Sequence, residues 1–388
     1  MQYGCLLLTQ LFGADRWTRV SVKSMAVLGL GMALSVPLIA ADQQAPRESV
    51  AADQSKASEA IFFAAPPKGF NPLMAADAEL AAYGFPPRPD SSSAKLYAKW
   101  QKLVAAPQTR LSDVKVQATT MTAGTPKSVN KAASTTGGVA TSSNWSGYAI
   151  GANAYTFTAN NSFIFGEWIV PVAQQAFYKC DGSWDYSVHW VGFDGWGSGD
   201  VLQAGSEADA YCSGTTKSTY YSLWYEWFVS GCTQNTASYP CSMWRTSMAA
   251  GPGDVIGVEV WYTTTAPQGH AYIVNYTTQV SMSLAYNKPS GAANYVGNSA
   301  EWIVERPTVG GSLPNLTNYV AAPFNFDYAY NGSSYFYPGS SPAGTTIYNI
   351  TMTCPPWNPT SACTYPGLSY ATLEGLYELW FDDEGVAY

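Results

Sequence analysis

Ala300-Glu301-Trp302-Ile303-Val304-Glu305-Arg306 reads as a β-strand that carries its chemistry on one face. Side chains two apart in a strand point the same way. Glu301, Ile303 and Glu305 therefore share one face, and Trp302 and Val304 the other. At about 3.3 Å per residue the two glutamates stand roughly 13 Å apart, too far to share a proton, so either must act with a group from another strand. The same period recurs outward from this stretch. Trp190, Gly192 and Asp194 fall together in one segment, and Trp224 accompanies Glu226 in another. Further short runs at Ser162–Val172, Ser187–Phe193, Tyr220–Val229, Asp254–Tyr262 and Ala271–Tyr286 alternate with Gly, Asn, Ser and Pro turns. Many evenly spaced strands with almost no helical period predict an all-β fold, an antiparallel β-sandwich or jelly roll. The stretch 141–388, about 245 residues, is long enough for one such domain.

Composition agrees. Of 388 residues only 12% are charged and 14% are aromatic, a balance that favours extended structure over helices. Charge is unevenly spread. Residues 141–388 hold five basic and eighteen acidic side chains, whereas 42–140 hold eleven basic and eight acidic. A basic leader ahead of an acidic body argues for a removable partner segment, acting as inhibitor or chaperone. In front of it, Arg16, Arg19 and Lys23 precede the apolar run Met25–Ala41. That pattern is expected of a signal peptide over 1–41, hence of a secreted protein with no stable membrane association once the signal is removed. Within the leader, Leu96, Trp100, Leu103 and Val104 fall on one helical face, after the capping serines 91–93. Lys95, Lys99 and Lys102 form a neighbouring stripe, either an ordinary solvated face or a clamp on carboxylates of the body. Residues 116–143, rich in Thr, Ser, Ala and Gly, read as a flexible linker open to proteolytic trimming.

Cys5 would leave with the signal, and the other six cysteines all lie in the acidic body, as disulfides in an exported protein would. Close spacing favours Cys232–Cys241 and Cys354–Cys363, which leaves Cys180–Cys212. Zinc is a poor alternative, with no Cys-x-x-Cys and only two histidines. There is no nucleotide-binding glycine loop and no basic patch in the body, so nucleic acid is not an expected partner. No cofactor is implied, and a monomer is the expectation.

Pepsin-like chemistry would need two Asp-Thr/Ser-Gly loops, and a zinc peptidase a His-Glu-x-x-His helix; both are absent. A serine triad would have to use His189 or His270, each in an aromatic or Gly-rich strand where a packed histidine is the simpler reading. Carboxylates and one glutamine are left. If the strand faces line one concave sheet, they make a tryptophan-lined groove suited to an extended polymer, a peptide or a glycan. A carboxylate beside tryptophans has its pKa raised by desolvation, as a general base and acid requires. A glutamine amide can donate a hydrogen bond to a developing oxyanion. A Gln/Glu pair can thus hydrolyse an amide without a covalent intermediate. The alternative is a β-sandwich glycoside hydrolase or lectin, with Asp194 and Glu226, or Glu226 and Glu305, as its carboxylate pair.

The segments Ser143-Asn144-Trp145-Ser146-Gly147, Gly166-Glu167-Trp168-Ile169-Val170-Pro171, Trp190-Val191-Gly192-Phe193-Asp194-Gly195, Leu202-Gln203-Ala204-Gly205, Trp224-Tyr225-Glu226-Trp227 and Ala300-Glu301-Trp302-Ile303-Val304-Glu305 follow one another in this order. Together they closely resemble the glutamic peptidases, the acid-acting secreted endopeptidases also called eqolisins. The resemblance implies a concanavalin-like sandwich, a zymogen, a peptide substrate and catalysis by Gln203 and Glu305. It also implies that Trp190, Asp194, Trp224 and Glu226 line or support the cleft; Glu301, on the same strand face as Glu305, is a reserve candidate for an auxiliary carboxylate. The segment from Gly69-Phe70-Asn71-Pro72 to Pro86-Pro87-Arg88-Pro89 resembles the propeptides that precede such enzymes. Two positions depart from the fungal pattern: Ser222 and Glu207 each stand where an aspartate is usual.

Overall fold

A computed structural model describes residues 61–134, 137–177, 179–353 and 367–383. The proposed signal peptide and the Cys354–Cys363 pair lie outside the described residues.

Two antiparallel layers form the body. The first runs, in spatial order, Val116–Ala118, Trp244–Thr246, Thr216–Val229, Asp200–Ser213, Val188–Phe193, Ser299–Glu305 and Trp145–Gly151. The second runs Ala321–Tyr330, Ser162–Ile169, Val255–Tyr262, Gly269–Asn275 and Val280–Tyr286. Alternation decides which side chains meet between them. Val191, Phe193, Leu202, Tyr225, Trp227, Trp302 and Val304 of the first layer pack with Trp168, Val258, Ile273 and Leu284 of the second in one buried core. At about 25 cal/mol per Å² of apolar surface removed from water, this shared core is the main force holding the layers together.

The expected single run Ala271–Tyr286 is two strands. Asn275 breaks it, its Oδ1 accepting the N–H groups of Thr277 and Thr278, both at 3.0 Å, and Gln279 turns through φ 57°. The chain after Pro307 is structural. Its strands Thr346–Met352, Ser369–Leu373 and Leu379–Asp383 carry hydrogen bonding from Trp145–Gly151 round to Ala321–Tyr330. The two layers are thereby joined along one edge.

The segment before the body covers both outer faces. Helix α1 (Asp77–Ala82) and helix α2 (Ala94–Ala105) lie on the second layer. There Leu96, Trp100, Leu103 and Val104 pack with Phe163, Phe165, Trp261, Tyr272 and Tyr328. Pro107 follows directly on the end of α2, where it cannot continue the helix. Of the lysine stripe, Lys99 is buried and pairs with Glu167 at 2.5 Å; Lys102, half exposed, stands 3.9 Å from the same oxygen. Burial lowers the Lys99 pKa, and the Glu167 charge opposes it. Lys95 lies over the Tyr377 ring at 4.1 Å. The stripe is thus a clamp at Lys99 rather than a solvated face.

The Ser/Thr-rich stretch expected to be a flexible linker is paired instead. Val116–Ala118 extends the first layer at Trp244–Thr246, and Met121–Thr122 pairs with Thr308–Val309. Gly137–Ser142 runs parallel to Thr346–Met352. Composition misleads here because the partners are backbone groups and buried side chains far along the chain. Two disulfides join described residues, Cys180–Cys212 and Cys232–Cys241, as spacing indicates. No helix among the described residues is long and apolar enough to cross a membrane.

Candidate active site

Register sets the polar groups of the first layer in three rows on its outer face. Glu301, Gly192, Gln203 and Glu226 stand abreast in one row, and Ile303, Trp190, Gly205, Trp224 and Arg245 in the next. Glu305, Val188, Glu207 and Ser222 make the third. Two glycines permit the close approach this requires. A Cβ at Gly205 would lie 2.7 Å from the Trp190 Cβ, and one at Gly192 would lie 2.9 Å from the Gln203 Cβ. The glycine in Leu-Gln-Ala-Gly is therefore a seat for Trp190.

These groups are not solvated. Gln203, Glu207, Glu226, Glu301 and Glu305 are all 0% exposed, and the extended chain around Ala123 and Gly124 lies across Gln203, Glu226 and Glu305. Glu305 Oε1 accepts the Gly124 N–H at 3.1 Å and an Asn144 Nδ2–H at 3.0 Å, and its Oε2 accepts the Trp190 indole N–H at 3.1 Å. Burial pushes the Glu305 carboxyl well above the ordinary range, while the three donors and Lys127 pull the other way. The Gln203 amide donates to the Ala123 carbonyl and lies 3.4 Å from Glu226 Oε2. That same Glu226 oxygen accepts the Ala123 N–H at 2.9 Å. Burial raises the Glu226 pKa strongly too; the Ala123 N–H opposes this and the Glu305 charge adds to it. From the core side, the Tyr286 hydroxyl donates to the Gln203 backbone oxygen at 3.1 Å. Gln203 and Glu305 thus hold the two ends of one peptide group, its C=O and its N–H.

The two departures from the fungal pattern belong to one cluster. Glu207 takes a two-pronged contact from Arg245 at 2.6 and 2.5 Å and a hydroxyl hydrogen bond from Ser222 at 2.6 Å. A serine donor and an arginine here serve one buried carboxylate where two aspartates would repel.

Among the sequence candidates, Trp190, Trp224 and Glu226 lie on the same face as Gln203 and Glu305, and Trp190 packs edge-on against Trp145 at 5.0 Å. Asp194 does not join them. At φ 67° it turns away, and its carboxylate accepts the N–H groups of Val296, Gly297 and Asn298 at 2.7, 3.0 and 2.8 Å. It stands beside Asp200, whose pKa burial and the Asp194 charge push up to about 8. Glu301 shares the Gln203 row but lies in the field of Asp194 and Asp200; burial, the largest cause, raises its pKa well above the ordinary value. His189 is buried on the core side against Tyr319 and Phe324, its pKa pulled down by burial to about 3. His270 stacks on Trp261 in the second layer, its pKa lowered to about 4 by burial. Neither reaches the three rows. Sequence reasoning gave no role to Asn144 and Trp145, although their motif was visible. Their contacts are to Glu305 and to the Gly124 carbonyl, the latter at 2.9 Å from the Trp145 indole.

The Peptidase A4 family matches residues 143–367 of this chain. Scytalido-glutamic peptidase, solved with a transition-state analogue inhibitor, is 20% identical, with 62% of this chain and 98% of that one covered at a TM-score of 0.41. Aspergilloglutamic peptidase from Aspergillus niger is 23% identical, with 51% and 99% covered at a TM-score of 0.36. No curated protein sequence matches. The family match spans more than half of the chain, so this protein belongs to the Peptidase A4 family and is a peptide-bond hydrolase.

Proposed function

We propose that this chain is a secreted acid endopeptidase made as a zymogen, with catalysis by Glu305 and Gln203. The observation that carries the reading is the grip of these two side chains on opposite ends of the Ala123–Gly124 peptide group. In this reading Glu305 removes a proton from water as the oxygen adds to the carbonyl carbon. Gln203 donates to the oxyanion so formed. Glu305 then delivers its proton to the leaving nitrogen. Burial raises the Glu305 pKa while residues 123–124 cover it. Uncovering the site relieves that burial and brings the carboxyl toward the range in which it accepts and returns a proton in weak acid. Glu226 orients the Gln203 amide and the substrate N–H, and Trp190 and Asn144 orient Glu305.

Residues 1–41 serve as the signal peptide, 42–140 as the inhibitory propeptide and 141–388 as the peptidase domain. Support for inhibition comes from the covering of Gln203, Glu226 and Glu305 by residues 123–124, and support for export from the two disulfides. The buried ion pair between Lys99 of this segment and Glu167 of the body supports a tightly held propeptide.

Casein cleavage at about pH 4, where ordinary carboxylates titrate, tests the assignment. Glu305→Gln should lose at least about 10²- to 10⁴-fold in rate, the usual worth of a general base, while staying folded. A Glu305→Gln enzyme with wild-type turnover would remove Glu305 from the mechanism.

A further inference from the structure

We propose that the Ala123–Gly124 bond is this enzyme's own first substrate, cut within the same molecule to free the active site. The proposal rests on the Glu305/Gln203 reading and adds the bond, the direction of threading and the molecularity.

Residues 116–125 lie across the site as an extended peptide would. Val116–Ala118 pairs with the edge strand Trp244–Thr246. The Thr119 N–H donates to the Met243 carbonyl at 3.1 Å, and the Met243 N–H to the Met121 carbonyl at 2.9 Å. Met121–Thr122 then pairs with Thr308–Val309. This is recognition by strand addition, in which backbone bonds hold the chain and alternate side chains enter pockets. Met121 and Ala123, two apart, are buried and pack with Trp190, Trp224 and Met243.

Over the next residues the partners change from strands to the proposed machinery. The Ala123 N–H goes to Glu226, the Ala123 carbonyl to the Gln203 amide, the Gly124 N–H to Glu305 and the Gly124 carbonyl to the Trp145 indole. Beyond it, Asn144 Nδ2 lies 3.4 Å from the Thr125 carbonyl. The oxyanion donor is thus on the carbonyl oxygen of one peptide bond, and the proton carrier is on the nitrogen of the same bond. Reversed threading would put the amide donor and the carboxylate on the wrong atoms. Gly124 also meets a size limit, since a Cβ there would stand 3.2 Å from the Phe228 ring. A larger residue after the cut would need the Phe228 ring to shift by a few tenths of an ångström.

The step balances with water as the second reactant. Water oxygen bonds to the Ala123 carbonyl carbon and one water proton passes to Glu305. The carbon–nitrogen bond to Gly124 breaks, and that proton moves to the Gly124 nitrogen. The products are a new carboxyl terminus at Ala123 and a new amino terminus at Gly124. The leading product stays paired through residues 116–122 and α2, so cutting precedes release.

The test uses purified full-length precursor, brought to about pH 4 at protein concentrations spanning roughly two decades. Product masses are followed in time, with casein cleavage measured in parallel and Gln203→Ala as comparison. The proposal expects termini at Ala123 and Gly124 and a half-time independent of concentration. It also expects Gln203→Ala to be cut at least about 10²-fold more slowly, as loss of an oxyanion donor dictates. A first cut at another bond, or a half-time that shortens in proportion to concentration, overturns the proposal. If casein hydrolysis still needs Gln203 in that case, the Glu305/Gln203 reading stands without it. Absence of both self-cutting and casein cleavage overturns both.

Discussion

Asn144 shows how much of the chemistry is set one residue away from the groups that perform it. Its amide donates to Glu305 at 3.0 Å while its Oδ1 accepts the Lys127 N–H at 2.6 Å, so the side chain is held at both ends. Burial raises the Glu305 pKa and this hydrogen bond lowers it. Asn144→Ala should therefore raise the Glu305 pKa further and move the acid limb of the kcat/KM profile to higher pH. A hydrogen bond to a charged group is worth about 1.5–3 kcal/mol, so about one pH unit or more is expected. An unmoved limb, read on a fluorogenic peptide, would show that Asn144 only packs. The candidate carboxylates were legible in the sequence because they sit in strand segments that carry a tryptophan, and Gln203 through the Leu-Gln-Ala-Gly segment of the family resemblance. What two-residue periodicity cannot tell is which same-face groups converge. Glu301 and Glu305 share a face, yet only Glu305 meets Gly124; Asp194 shares a nominal face with Trp190, yet a left-handed backbone turns it to the 296–298 loop.

At the scale of elements, helix α2 is fastened to the body by two unlike means. Its apolar face is buried with Trp100 at 0% exposure, and Lys99 forms a buried pair with Glu167. Removing one partner of such a pair leaves the other charge stranded, at a cost of about 3–5 kcal/mol. Lys99→Met should lower stability at neutral pH by that order in denaturant titration. A change below about 1 kcal/mol, the range of an exposed pair, would mean that Lys102 takes over. The helical face was readable from the spacing of Leu96, Trp100, Leu103 and Val104. The strap at residues 116–125 was not, because small polar residues without apolar period look alike whether free or paired. Its order comes from backbone groups meeting Met243, Thr308, Val309, Gln203 and Glu305. The strands after Pro307 were missed for a similar reason: they matter by joining the two layers, a long-range role that local pattern does not carry.

The whole molecule is built to be most stable in acid. Burial is the largest cause of raised pKa values at Glu226, Glu259, Glu301, Glu305, Asp200 and Asp327. A carboxyl whose folded pKa exceeds its unfolded value holds its proton more tightly when folded. Its contribution is complete below the unfolded value and is lost as pH rises through the folded one. For Asp200 that window runs from its ordinary value of 3.8 to about 8. Thermal melts should therefore give a higher Tm near pH 4 than near pH 8; the opposite order would mean that these carboxyls are ionised in the fold. In the proposed mechanism a neutral amide, not a second acid, stabilises the tetrahedral oxygen. The most direct measurement is the kcat/KM–pH profile of Gln203→Ala against wild type on one small peptide. An amide does not titrate, so the account predicts a curve of the same shape lowered by about 10²- to 10³-fold throughout. A Gln203→Ala enzyme whose profile keeps its wild-type height would contradict it.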